Sequence, residues 1–192
     1  MDSINSIFIQ ALAFAAEKHK NQRRKDLDAS PYINHPIALA NVLANEASIY
    51  DTDVLCAAVL HDTVEDTETT ASELEARFGA RICGIVMEVT DDKTLEKQVR
   101  KLRQIEHAPH ISHPAKLVKL ADKICNLRDI LASPPADWPL ARKLQYFDWA
   151  AKVVAGMRGV HPQLEAIFDA THVRQSEWGP LPELDTAMQT MK

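Results

Sequence analysis

The 192-residue chain carries 46% hydrophobic and 26% charged residues, the balance of an ordinary globular domain, which excludes a disordered, collagen-like or coiled-coil chain. Its length suits one domain with its own core. A formal net charge of −5 excludes a general attraction to nucleic-acid backbones or anionic membranes, so an anionic substrate must meet a local cationic cluster.

Only five glycines occur, and apolar residues recur at intervals of three and four, which predicts helices throughout. Ile4, Phe8, Leu12 and Ala15 form a first stripe. No basic segment precedes it and Gln10 interrupts it, so it reads as a helix and not a signal peptide. Residues 21–34 are polar and basic and read as a loop, and Pro36 suits the first turn of a second helix carrying Ile37, Leu39, Ala40 and Leu43. From Val54 to Leu60 the chain is apolar almost all round, the mark of a helix buried on most faces.

Thr70 and Glu73 fit a capping box for a short helix ending at Gly79, and Ile82, Ile85, Val86 and Val89 continue the helical spacing. Residues 91–93 read as a turn and 94–107 as an exposed helix. Pro114 opens a strongly periodic helix through Leu117, Leu120, Ala121, Ile124 and Leu127. Two further helices run from Leu140 to Met157 and from Pro162 to about His172. The organisation expected is one domain over residues 1–170 and a poorly ordered tail over 171–192, Pro-rich past Ser176. Cys56, Cys83 and Cys125 are widely spaced and odd in number, which predicts core thiols in a reducing compartment. No window approaches the roughly 18 apolar residues of a membrane span. A cytoplasmic protein is expected.

His61-Asp62 closes the most buried helix, where an imidazole beside a carboxylate is costly unless something binds them. Asp122 interrupts the apolar periodicity of the 114–130 helix, and His35 heads its own helix before Pro36. Together they offer two imidazoles and two carboxylates, a set suited to a divalent ion such as Mn, Fe or Zn with positions left open for water and a phosphate oxygen. Glu65 and Asp66 follow Asp62 by three and four residues, so on a continuing helix they lie beside that ion as proton acceptors for an attacking water. Arg23-Arg24-Lys25, just upstream of His35, is the local cationic cluster that an acidic protein needs for a phosphorylated substrate. Lys97, Arg142 and Tyr146 are further candidates for phosphate and ring contacts. No Gly-rich phosphate loop and no activated Ser or Cys nucleophile is present.

The order His35, His61-Asp62, Asp122 is that of the HD metal-dependent phosphohydrolases. The words RRKD, PYINHP, LHDTVEDT, VTDDKTL and AKLVKLADKICNLRD closely resemble the hydrolase domain of Rel/Spo-type alarmone enzymes. Over roughly residues 8–160 the chain is most similar to the stand-alone, Mesh1-like small alarmone hydrolases. The resemblance implies an all-α HD-domain helical bundle holding one Mn²⁺ through His35, His61, Asp62 and Asp122. It implies hydrolysis of the 3′-pyrophosphate of ppGpp or pppGpp to GDP or GTP, with Glu65 and Asp66 activating water. It also implies that Arg24 packs on guanine, that Asn126 contacts the nucleotide, and that Lys25, Lys97, Arg142 and Tyr146 line its pocket. Asn126 stands one helical turn past Asp122, on the same face.

Two other functions compete with this one. The first is removal of the 2′-phosphate of NADPH, or of another nucleotide phosphate, on the same scaffold. The second is a non-catalytic nucleotide-binding module, which would have no need of two acids beside the metal ligands.

Overall fold

The apolar stripe of the N-terminal segment becomes α1 (Asp2–Lys18) in the computed structural model, which describes residues 2–26 and 28–179. Ala11, Phe14 and Ala15 are buried there against α3 (Thr52–Leu60). Between them run the basic loop, fastened by one antiparallel bridge between Arg23 and Pro31, and α2 (Asn34–Asn41). Helix α2 passes without a stop into a π-helical turn, Val42–Glu46, which the sequence gives no sign of. Glu46 there accepts both guanidinium nitrogens of Arg128 at 2.8 Å, a bidentate pair.

Helix α3 is buried along most of its length, as its all-round apolarity predicts. Asp51 caps it, its side chain accepting from the Asp53 and Val54 amides. The small residues Cys56, Ala57 and Ala58 let α1, α2 and a later helix, α5, approach it from different sides. Its end carries the His61-Asp62 pair into the short α4 (Thr63–Asp66).

Helix α5 (Ala71–Val89) starts on the Thr70 cap, whose hydroxyl accepts from the Glu73 amide at 3.2 Å. It kinks at Gly79, where φ is 85° and ψ 163°, a combination open only to glycine. The predicted stop at Gly79 is thus a sharp change of direction between two helical pieces. No atom stands within 4 Å of where a Cβ would lie, so Gly79→Ala tests backbone strain alone. We expect a loss of about 1–3 kcal/mol in denaturant unfolding, with activity retained at permissive temperature.

Helix α6 (Lys97–His107) is exposed as predicted and contributes no buried residue. Helix α7 (His113–Ala132), capped by Ser112, is the spine of the molecule; it packs on α2, α3 and α5 and on the two helices that follow, α8 (Leu140–Ala155) and α9 (Pro162–Val173). Its Leu120, Ile124 and Leu127 are fully buried with Leu39, Leu43 and Leu60. The three cysteines are buried free thiols.

The expected tail boundary at 171 falls inside α9, which continues into a 3-10 turn, Arg174–Trp178. Trp178 meets Phe147 of α8 edge to face at 5.2 Å, so the packed chain runs past the expected boundary. Residues 180–192 of the expected tail lie outside the described residues. Among the described residues there is no strand beyond the isolated bridge, and no helix is long and apolar enough to cross a membrane.

Candidate metal centre and its adjoining pocket

The helix ends bring four donor residues together. His35 comes from the first turn of α2, His61 from the C-cap of α3, Asp62 from the N-cap of α4 and Asp122 from the middle of α7. Helix α3 does not run on into α4, because Asp62 takes φ −98° and ψ −1°, in the bridge region. Thr63 Oγ1 donates to Leu60 O at 2.7 Å, satisfying a carbonyl that the break sets free. The helix thus closes at His61-Asp62 as expected and does not continue, yet Glu65 and Asp66 reach the metal-site cleft from α4.

His61 Nδ1 donates to Ala58 O at 2.9 Å, which fixes the tautomer and leaves the Nε2 lone pair facing the site. Nε2 lies 2.8 Å from Asp62 Oδ2 without the alignment of a hydrogen bond, and it has no partner among the described residues. His35, His61 and Asp62 each place one donor atom within 4.8 Å of the others. Asp122 Oδ1 stands 3.2 Å from His35 Nε2 and 3.9 Å from His61 Nε2. Buried electron-pair donors converging in this way fit a divalent cation. The charges agree. Burial disfavours an imidazolium at His61, yet Asp62 and Asp122 outweigh it and lift the pKa to about 9. Burial likewise opposes the Asp62 and Asp122 carboxylates, but His61 acting on Asp62, and Lys123 with His35 acting on Asp122, hold both well below the usual range. The centre is built to hold positive charge.

The two acids of α4 have different surroundings. Burial, together with the charges of Asp62, Asp91 and Asp66, pushes Glu65 up to about 7, although the Asp91 amide donates to it at 3.0 Å. Asp66 is held by Gln22 Nε2 at 2.9 Å and by the Lys93 ammonium.

Beside the centre opens a pocket of about 550 Å³, within the range of small-molecule sites. Arg24, Lys25, Asn126 and Tyr146 line it, together with His35 and Asp66. The Arg24 guanidinium is fixed by Asp129 and by Asn126 Oδ1 at 3.5 Å, and it lies over the Tyr32 ring at 5.6 Å. Lys97 and Arg142 are not brought to the wall. Arg142 sits behind it, over the Trp138 ring at 4.3 Å. Burial and then the neighbouring Arg142, Lys25 and Arg100 lower the Lys97 pKa.

A profile described as the HD domain matches residues 11–158. The chain belongs to the HD domain family. It is 55% identical over 165 residues, 86% of this chain and 92% of its relative, to a human protein named guanosine-3′,5′-bis(diphosphate) 3′-pyrophosphohydrolase MESH1. The Drosophila melanogaster protein of the same name is 51% identical, covering 84% of this chain and 90% of its own. A solved structure described as a metazoan ortholog of SpoT that hydrolyzes ppGpp superposes with a TM-score of 0.86 at 49% identity, covering 88% of this chain and 95% of that one.

The HD domain here contains groups that sequence reasoning missed. The Tyr32 hydroxyl donates to Asp62 Oδ2 at 2.5 Å, and burial with the Asp62 charge holds that phenol firmly protonated. Lys123 Nζ pairs with Asp122 Oδ2 at 3.0 Å while lying over the Trp149 ring at 4.4 Å. Gln22, Lys93, Asp129 and Lys119 complete the surroundings. Lys123 follows Asp122 directly and Tyr32 precedes His35 by three residues, the one signal that could have drawn attention to them.

Proposed function

We propose that this HD domain hydrolyses the 3′-pyrophosphate of ppGpp or pppGpp, giving GDP or GTP and pyrophosphate, as the names of its MESH1 relatives describe for those proteins. The observation that carries the reading is the junction of a cation-binding donor set with Glu65, a carboxyl poised near neutrality, in a cleft that adjoins a pocket large enough for a nucleotide. His35, His61, Asp62 and Asp122 hold the metal, and Mn²⁺ suits their mixed imidazole and carboxylate donors. When bound, the ion supplies a lowered water pKa and neutralises charge on the attacked phosphate.

The residues divide the remaining work. Glu65, with a pKa matched to neutral pH, accepts the proton of the attacking water. Asp66, clasped by Gln22 and Lys93, positions that water and the loop around Lys93. The water oxygen bonds to the phosphorus next to the ribose, the bond from that phosphorus to the 3′ oxygen breaks, and the oxygen leaves as a hydroxyl after taking a proton. Arg24 stacks on the guanine and Asn126 contacts the nucleoside. Lys25 and Tyr146 bind from the wall, and Lys97 and Arg142, off the wall, add positive charge to the phosphate-binding field.

Turnover in oxygen-isotope-labelled water tests this chemistry. The label is expected in pyrophosphate; label in the 3′ hydroxyl of the nucleotide would mean cleavage at carbon and would refute it. The pocket assignment has its own test. Arg24→Ala is expected to raise KM for ppGpp by about tenfold with little change in kcat, since stacking and orientation precede the chemical step. An unchanged KM would remove Arg24 from the pocket.

A further inference from the structure

Lys119 is the buried charge that this mechanism leaves unused. It stands on α7 three residues before Asp122, so it shares that face and lies about 4.5 Å nearer the helix N-terminus. The residue is 7% exposed. Among the described residues its ammonium has one hydrogen-bond partner, Val89 O at a long 3.4 Å, and no carboxylate pairs with it. A buried ammonium with most of its donors unused is costly, and such groups gather where a ligand supplies the missing charge. Burial, followed by the neighbouring Lys123, depresses its pKa to about 8.

Its location identifies the ligand. Lys119 lines the catalytic cleft and also a further cavity of about 120 Å³, with Asp91 and Gln104 completing the wall between the two. The other end of the same α7 stripe, Asn126 and Asp129, lines the large pocket. Along α7 the order is therefore pocket residues, metal ligand, unpaired ammonium. A nucleotide carrying a 3′-pyrophosphate has the matching order of nucleoside, scissile phosphate and distal phosphate.

We propose that Lys119 receives the distal phosphate of the 3′-pyrophosphate and thereby makes this site selective for a diphosphate ester over a monoester. The inference rests on the hydrolase reading above and adds to it the residue that distinguishes a transferred pyrophosphoryl group, with the ribose 3′ oxygen as leaving group, from a transferred phosphoryl group. Lys119 binds the part of the substrate beyond the bond that breaks, so its loss spares the chemistry of the scissile phosphate.

The test compares the parent protein with Lys119→Met, close in size and without charge, on two Mn²⁺-supported reactions: guanosine 5′-diphosphate 3′-diphosphate and guanosine 5′-diphosphate 3′-monophosphate. The variant is expected to lose about a hundredfold in kcat/KM on the diphosphate ester, the scale of one charged donor in a closed site. On the monophosphate ester it is expected to stay within about twofold of the parent. Calorimetric titration of both proteins with inorganic pyrophosphate and with orthophosphate provides a second readout, in which only pyrophosphate binding should weaken. The free variant is expected to melt at or above the parent, because an unpaired buried charge has been removed. Equal losses on both esters, or undiminished pyrophosphate binding, would overturn the proposal, and a lower melting temperature with equal losses would make Lys119 structural. If the parent turned over neither ester, the hydrolase reading would fail, while Lys119-dependent pyrophosphate binding would still uphold the site.

Discussion

Replacing Glu65 by glutamine is expected to lower kcat by about a thousandfold while leaving metal affinity unchanged, the effect of deleting a positioned general base. The side chain keeps its size and can still accept from the Asp91 amide, so the loss is of proton affinity and not of packing. Asp66 does not substitute for it, since Gln22 and Lys93 already occupy its oxygens. The pH dependence has a definite sign. The active form is ionised Glu65, whose pKa is about 7 in the metal-free protein, and a bound divalent cation can only lower it. The rate of the parent should therefore fall with decreasing pH along a limb at or below about 7. Stability moves in the opposite sense. The fold raises this carboxyl above its ordinary 4.5, so the ionised form penalises folding as pH rises past that value and most fully beyond about 7. Metal-free Glu65→Gln should melt higher than the parent in mild alkali and lose that advantage in acid. A variant with native kcat would remove Glu65 from the mechanism.

Asp62→Ala is expected to abolish activity by a different route, through the metal. Outer-sphere partners of a metal site already change affinity by roughly 10–100-fold, and a direct ligand should exceed the upper end of that range. Asp62 also accepts from Tyr32 and is the leading influence holding His61 protonatable, so its loss loosens two other groups of the centre. Metal analysis after gel filtration should find the variant depleted, and excess Mn²⁺ should not restore the rate. Asp122→Ala should behave alike with a further loss of about 3 kcal/mol in stability, because buried Lys123 then loses its partner at 3.0 Å. Full metal content in Asp62→Ala would contradict the proposed donor set. Together with Glu65→Gln, these variants separate residues that hold the ion from the residue that moves the proton.

Much of this site could be read from the chain because its ligands break local rules. An imidazole and a carboxylate at the end of an apolar helix, and an aspartate inside another, are conspicuous against a regular helical pattern, and α3 and α7 folded as that pattern predicts. The end of α3 at His61-Asp62 was legible, but the separate short α4 that starts at once was not, since it depends on Asp62 adopting a bridge conformation that no residue type signals. Lys93 and Gln22 reach Asp66 from residues 27 and 44 positions away in the chain, and in sequence each looks like a solvated side chain. Lys119 is a different case. It sits in AKLVKLADK where a polar helix position is ordinary, and only its burial without a counter-ion sets it apart. Trp178 was hidden by the prolines beside it, although its ring had a ready partner in Phe147.

The most direct test of the central claim is a paired assay of the full chain with ppGpp and with NADPH at matched concentrations, in Mn²⁺ and after chelation, with pyrophosphate and phosphate quantified separately. The expected result is metal-dependent release of pyrophosphate from ppGpp at much the higher kcat/KM, lost on chelation and regained with Mn²⁺. Dominant release of phosphate from NADPH, or turnover of ppGpp that survives chelation, would contradict it.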